Sequence, residues 1–184
     1  MRILLLVQLA LPCWAQPPRD WQIFTSRPKT YLGTRESGYQ SKYSASLTST
    51  PQASASTYAL YVQDLDAGHY RGCRIRLSGW LRTRLDGGWA GLWLRADGPK
   101  GPPLAFENMQ RQSINGVQDW RKYQFEIDIP AQAQSLHYGA LLNGLGQIWA
   151  DNLKLEIIGE APTGLTEVRK LRILDQPSNL GFEQ

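Results

Sequence analysis

Short segments in which apolar and polar residues alternate limit the fold of this sequence more than any other feature. Residues 74–82 alternate throughout, and residues 123–129 do so until Pro130 ends the pattern. Successive side chains of a β-strand point to opposite faces, so this period of two indicates strands with one buried face. Apolar residues at helical spacing are rare. Further strands are predicted at residues 44–47, 58–65, 89–97, 104–106, 136–142 and 148–158.

Turn-forming residues separate these segments at regular intervals. The turns include residues 86–88, 97–103 and 143–146, all rich in Gly, Pro or Asn. Short strands with such punctuation are typical of sandwiches and barrels. The chain has 184 residues, enough for one domain or for one domain with tails. The predicted fold class is therefore all-β, an antiparallel β-sandwich.

The N-terminus has the features of a secretory signal peptide. Arg2 precedes a mostly apolar run over residues 3–11, and the small residue Ala15 comes before a polar stretch. This run is far shorter than the roughly 20 residues that cross a bilayer, so we expect no membrane span. We expect a signal peptide at residues 1–15, export to the periplasm or the cell exterior, a sandwich domain at 16–158, and a linker and tail at 159–184. Whether the tail returns to the sheet is left open.

The aromatic residues favour Trp and Tyr over Phe, with seven Trp and eight Tyr against four Phe. Strand parity puts the aliphatic residues of segments 74–82 and 89–97 on one face, which we expect to be the core. The opposite face of the same strands combines indole rings with charged side chains. Six residues on or near that face are the candidate ligand-binding residues: Trp80, Trp93, Arg95, Asp97, Asn108 and Gln110.

Such a face suits a sugar, because a pyranose stacks its apolar C–H face on an indole while its hydroxyls bind charged or amide groups. Asn143, in a Gly-rich loop, is a further candidate. The alternative is that Trp80 and Trp93 pack beneath other parts of the chain. The protein would then be a structural or protein-interaction domain, such as a sensor or accessory module.

Five segments resemble secreted bacterial galactose-binding-like domains and carbohydrate-binding modules. They are residues 70–83, 88–95, 104–109, 119–123 and 146–153, the last with Asp151-Asn152 before an alternating strand. The resemblance covers about residues 21–158 and implies a jelly roll with a binding site on its concave sheet or in loops at one edge. It implies no catalytic residue. Similar domains also occur joined to bacterial transcription regulators and peptidases, and residues 177–184 look like the opening strand of such a domain.

Catalysis has little support in the sequence. His69 and His137 form no metal-ligand pattern, and Cys73, the single cysteine left after signal cleavage, is expected to be a small packed residue. Glu107 and Glu126 are the conceivable carboxylate pair of a hydrolase, but Glu126 falls on the polar side of a regular strand. We therefore expect a binding module that is not an enzyme and needs no cofactor.

The acidic residues and the net charge limit the kinds of ligand that we expect this protein to bind. The resemblance implies that a structural calcium ion could be bound, with Asp128 and Asp151 as conceivable ligands, but no acidic loop has ligand spacing and no metal is predicted. The formal net charge of +4 falls to +3 without Arg2. Together with the export signal, this modest charge argues against nucleic acid as a partner. The expected partner is a carbohydrate or another small polar ligand, and the oligomeric state stays open.

Overall fold

The computed structural model describes residues 19–161 and Gly181. Within these residues lie eight strands and one short 3-10 turn at Gln110–Gln112, and no helix is long and apolar enough to span a bilayer. The strands are β1 Gln22–Thr25, β2 Tyr31–Ser37, β3 Tyr43–Ser49, β4 Tyr58–Asp66, β5 Cys73–Asp97, β6 Ala105–Glu107, β7 Val117–Asp128 and β8 Ser135–Glu160. All pairs are antiparallel, which confirms the predicted all-β class.

Two long bent strands, β5 and β8, organise the fold. They pair with each other from Asp97 and Ser135 at one end to Cys73 and Glu160 at the other. The pairing is irregular around Gly88 and Gly144, where the chain has positive φ values of 92° and 85°. Glycine adopts such values without a steric penalty, so both strands can bend at the same level.

The bend divides the sheet into two layers. The first layer has the order β1-β4-β8-β5-β6 and uses residues 135–143 of β8 and 88–97 of β5. The second layer has the order β2-β3-β8-β5-β7 and uses residues 146–160 of β8 and 73–85 of β5. The sequence predicted two separate strands in each of these long segments, and the structure joins each pair into one strand.

The core lies between the two layers. Gly79 of the second layer approaches Leu92 of the first so closely that a methyl group on Gly79 would lie 3.5 Å from a Leu92 methyl carbon. The aliphatic face predicted from parity is buried, including Ile75, Leu77 and Leu92. Burying an aliphatic side chain of this size contributes about 1.5–3 kcal/mol. The alternation of the sequence therefore identifies the inner faces correctly.

The ends of the chain fall largely outside the described residues. These include the predicted signal peptide and most of the predicted tail. Gly181 is described, and its carbonyl oxygen lies 3.1 Å from the hydroxyl of Ser41, in the loop between β2 and β3. Strand β8 ends at Glu160, two residues beyond the predicted end of the sandwich domain at Ile158.

Candidate ligand-binding groove

A groove crosses the outer face of the first layer. It consists of two adjoining clefts of about 540 and 360 Å³, which share Tyr58, Leu60, Trp93 and Arg95. The larger cleft extends towards β6, and the smaller one extends towards β1. The remaining lining residues of the two clefts are Gln22, Ile23, Phe24, Val62, Trp89, Phe106, Asn108, Gln110, His137, Leu141 and Asn143.

Trp93 forms the floor of this groove. Its register partner in β8 is Gly139, and its indole Nε1 donates a hydrogen bond of 3.1 Å to the carbonyl of Tyr61 in β4. The ring therefore crosses β8 where that strand has no side chain. A methyl group on Gly139 would lie 2.1 Å from the Tyr61 carbonyl oxygen, so only glycine fits there. Trp93 is 4% exposed, and the alternative that it packs against other residues is partly correct.

A row of polar side chains borders the groove. Arg95, His137 and Asp64 are register neighbours on β5, β8 and β4. His137 Nδ1 lies 2.6 Å from Asp64, and His137 Nε2 lies 3.2 Å from Asp97. Asp97 also pairs with Arg95 at 2.8 Å. The Nε of Arg95 is buried and has no hydrogen-bond partner among the described residues, which leaves one unsatisfied donor in the groove lining.

Aromatic side chains form the rim. Phe24 and Tyr58 face each other on one side with ring centroids 6.0 Å apart, and Phe106, which is 55% exposed, stands on the other. Trp89 lies half-buried near the bend of β5. Apolar ring faces around a cleft that also contains amide groups are the combination that binds the two sides of a sugar.

The segment after β6 supplies the amide groups. Glu107 accepts hydrogen bonds from the backbone N–H groups of Asn108 and Met109 at 3.0 and 2.7 Å. Met109 then adopts a left-handed conformation with φ of 59°, and Asn108 accepts the N–H of Gln110 at 3.0 Å. This local network fixes the turn from which Asn108 and Gln110 reach the cleft.

The structure brings together five of the six predicted site residues. Trp93, Arg95, Asn108 and Gln110 line the larger cleft, as does Asn143, and Asp97 joins them through Arg95. Trp80 lies elsewhere, on the outer face of the second layer, where its ring contacts Tyr39 at 5.0 Å. The reason is the bend in β5: both tryptophans lie on the side away from the core, but the strand has passed from one layer to the other between them. Placing Trp80 in the same site was therefore wrong.

Sequence reasoning missed most of the groove lining outside β5 and the turn after β6. Tyr58, Leu60 and Val62 alternate with buried residues along β4, and His137 and Leu141 share the parity of Asn143, which was the one ligand-binding candidate on β8. The same parity argument that selected residues of β5 would have selected these residues. Phe24 and Phe106 carry no such signal, because each lies in a strand of four residues or fewer.

The other polar residues considered in the sequence have local partners. Glu126 forms an ion pair of 2.7 Å with Arg76 in the second layer, so it does not face Glu107, which lies at the edge of the first. Asp128 pairs with Arg74 at 2.8 Å, and the hydrogen bond from this guanidinium lowers the pKa of Asp128.

Three further residues lie away from the groove lining. His69 is exposed, and Cys73 is partly buried and packs against the core. Asp151 is fully buried, and its carboxylate accepts backbone hydrogen bonds from the loop between β2 and β3.

Comparison with solved structures identifies the fold. The xylan-binding domain CBM22-1 of Paenibacillus barcinonensis Xyn10C matches 80% of the chain and 92% of its own length, at 14% identity and a TM-score of 0.52. A putative sugar binding protein from Bacteroides thetaiotaomicron matches 78% of the chain and 90% of its own length, at 11% identity and a TM-score of 0.55. The chain has the jelly-roll fold of carbohydrate-binding modules. The resemblance found in the sequence is thereby confirmed for the fold.

A curated relative has a different description. The Bacillus subtilis (strain 168) protein named uncharacterized HTH-type transcriptional regulator YbfP is 32% identical over 168 residues, which is 90% of this chain. The chain spans 57% of the length of that relative. No family model matches the chain.

Proposed function

We propose that this protein is a non-catalytic binding module whose groove holds a carbohydrate. The observation that carries the proposal is the groove itself: an indole floor, aromatic rims and the partly exposed guanidinium of Arg95, all on one face of a sandwich. The pyranose rings would pack on Trp93, Trp89 and Phe106. Their hydroxyls would bind Arg95 and the amides of the rim.

The charges of the groove favour a neutral ligand. Arg95 is balanced by Asp97, and His137 lies between Asp97 and Asp64. An added anion would compete with these carboxylates for the same donors, whereas sugar hydroxyls can donate to one group and accept from another. Because Asp97 already pairs with Arg95 and Asp64 with the imidazole of His137, the arrangement suits binding better than general acid–base chemistry.

The test is calorimetric titration of the purified protein with soluble xylan, galactan and β-glucan oligosaccharides. Trp89→Ala and Phe106→Ala alter the rim and leave the buried floor intact. We expect each variant to weaken binding of the responsive glycan by about tenfold, the loss typical of a truncated aromatic contact. Trp80→Ala, on the opposite face, is the matched control and should bind as the wild type does. Absence of binding to every glycan, or equal losses in all three variants, would contradict the proposal.

The relative in Bacillus subtilis favours a second candidate, a domain that senses a small ligand within a transcription regulator. Retention on insoluble polysaccharide separates the two, because an anchoring module binds the polymer, whereas a sensor binds a small soluble sugar and leaves the polymer free. We favour the anchoring role because the two clefts form one continuous groove through the side chains that they share.

Export remains part of the proposal for the anchoring module. Residues 1–15 would be removed on secretion, whereas a regulator of transcription acts where the DNA is. Mass spectrometry of the protein expressed from its complete reading frame gives the mature N-terminus. Cleavage near Ala15 supports the anchoring role, and an intact N-terminus in the cytoplasm supports the sensor.

A further inference from the structure

The outer face of the second layer carries a separate row of stacked side chains. Its members, here called the Trp–Arg ladder, follow one another across the face in the order Trp149, Arg82, Trp120, Tyr39 and Trp80. The Arg82 guanidinium lies 4.0 Å from the ring centre of Trp149 and 5.3 Å from that of Trp120. Tyr39 stacks on Trp120 at 5.6 Å with an angle of 12° between the rings, and it contacts Trp80 at 5.0 Å.

A buried carboxylate fixes the loop that completes this ladder. Asp151 accepts hydrogen bonds from the backbone N–H groups of Tyr39, Gln40 and Ser41 at 2.6, 2.7 and 3.2 Å. The Ser41 hydroxyl donates to the same carboxylate. Tyr39 is therefore held in place while the residue remains 49% exposed. The arrangement presents preorganised aromatic surface to the solvent.

Cations surround the ladder without carboxylate partners. In the part of the chain that the structure describes, no ion pair is formed by Arg82, Arg84 or Lys122. Lys122 is the register partner of Trp80, and Arg84 lies 5.8 Å from the Trp149 ring. Each cation therefore lies beside an aromatic member of the ladder.

Two carboxylates that contact the ladder accept hydrogen bonds from neutral donors. Glu36 accepts the indole N–H of Trp149 at 2.8 Å and the side-chain amide of Gln147 at 3.0 Å. Asp151 is taken up by the loop. Arg82, Arg84 and Lys122 thus have charge available for an acidic ligand.

Two buried polar atoms on this face also have no hydrogen-bond partner among the described residues. They are the Nε of Arg82 and the Oγ of Ser78, which lie two residues to either side of Trp80 along β5. Ser78 is fully buried. Because both atoms are covered, they are not contacts for a ligand, and the rings and charges of the face carry the site.

We infer that the Trp–Arg ladder is a second binding site, for an acidic oligosaccharide. A pyranose that carries a carboxylate offers an apolar face for Tyr39 and Trp80 and an anion for Arg82, Arg84 and Lys122 in the same unit. The ladder rings are already stacked on one another, which leaves no gap in which a nucleic-acid base could insert between Tyr39 and Trp120. A uronic-acid chain lying across the face needs no such gap.

The test is titration with oligogalacturonate, at low and at high salt. The double variant Arg84→Gln, Lys122→Gln removes two exposed charges and should weaken binding by about tenfold, with little effect on folding. High salt should weaken binding to the wild type and have less effect on the variant. Phe106→Ala, in the groove, is the control and should bind oligogalacturonate as the wild type does.

Three results would overturn the inference. They are the absence of oligogalacturonate binding, loss of binding in Phe106→Ala instead of the double variant, and tighter binding of single-stranded DNA of equal charge. Failure here is distinct from failure of the groove, because neutral glycans and the rim variants report only on the first layer. If the protein binds neutral oligosaccharides but does not bind oligogalacturonate, the groove is a binding site and the Trp–Arg ladder is not.

Discussion

The two outer faces of the sandwich use similar residue types to opposite effect. On the first layer, Gly139 lets the Trp93 indole lie flat, and the aromatic rims stand apart around an open groove. On the second layer, the rings and Arg82 of the Trp–Arg ladder contact one another directly. A high Trp content therefore does not define a binding site. The spacing between the rings decides whether a ligand enters a groove between them or lies on their exposed faces.

The largest effect is expected from Leu92→Ala, because Leu92 is fully buried between the layers. Removing it leaves a cavity and should lower the free energy of unfolding by about 2–5 kcal/mol. Trp fluorescence in urea measures the unfolding. Titration of each face with its own ligand should show that both faces lose binding at the urea concentration at which the protein unfolds. Leu32→Ala, at a site that is 60% exposed, is the matched control and should change little. Loss of ligand binding at one face at a lower urea concentration than at the other would show that the two faces do not depend on one shared core.

Asp151→Asn should affect the outer face of the second layer and leave the groove of the first layer unchanged. The amide cannot replace a carboxylate that accepts three backbone N–H groups, and the loop carrying Tyr39 should be released at a cost of about 2 kcal/mol. Hydrogen exchange should then increase at residues 39–41, while titration of the groove with neutral glycan stays unchanged. Asp128→Asn, in an exposed ion pair, is the matched control. Slow exchange at residues 39–41 in Asp151→Asn would show that other contacts hold the loop.

His137→Gln tests the groove alone. Glutamine cannot bridge both Asp64 and Asp97, so the row of side chains that positions Arg95 should loosen. We expect the affinity for neutral glycan to fall by about three- to tenfold, measured by calorimetry, with oligogalacturonate binding unchanged. His69→Gln provides the same substitution at an exposed position. If the two variants bind neutral glycan equally well, this row of side chains has no part in recognition.

The smallest effect concerns the ion pair of Arg74 and Asp128 on the second layer. Its hydrogen bond lowers the pKa of Asp128, so the pair stabilises the fold above the ordinary pKa of a carboxyl group. That contribution is lost as the pH falls through the lowered pKa, because the proton then displaces the guanidinium. Urea unfolding of wild type and Asp128→Asn should differ slightly at neutral pH and converge in acid. A difference that persists in acid would require another cause.

Much of the fold can be read from periodicity. The alternation in residues 74–82 and 89–97 identifies the inner face, because burial on one side of a strand requires apolar residues at every second position. Strand β2 was missed because Thr34, Arg35 and Glu36 are polar on both faces and gain their stability from hydrogen bonds with β3 and β8. Such partners are distant in sequence and leave no local pattern.

The site was predictable only within one layer. Arg95, Asn108 and Gln110 follow Trp93 closely in the chain, so sequence proximity placed them together correctly. Trp80 was assigned to the wrong face because parity records the side of a strand and not the layer to which it belongs. The glycines at the bend were visible in the sequence as a turn. Strand β5 continues through these glycines because β8 bends at the matching level.

The central claim is that the two faces are separate sites, and indole NMR tests it most directly. Each Trp side chain gives its own N–H signal, which can be assigned by substitution. On titration with the neutral oligosaccharide that binds, the signals of Trp89 and Trp93 should shift, and those of Trp80, Trp120 and Trp149 should remain in place. Shifts of the ladder tryptophans with an unchanged Trp93 signal would contradict the account and transfer carbohydrate recognition to the second layer.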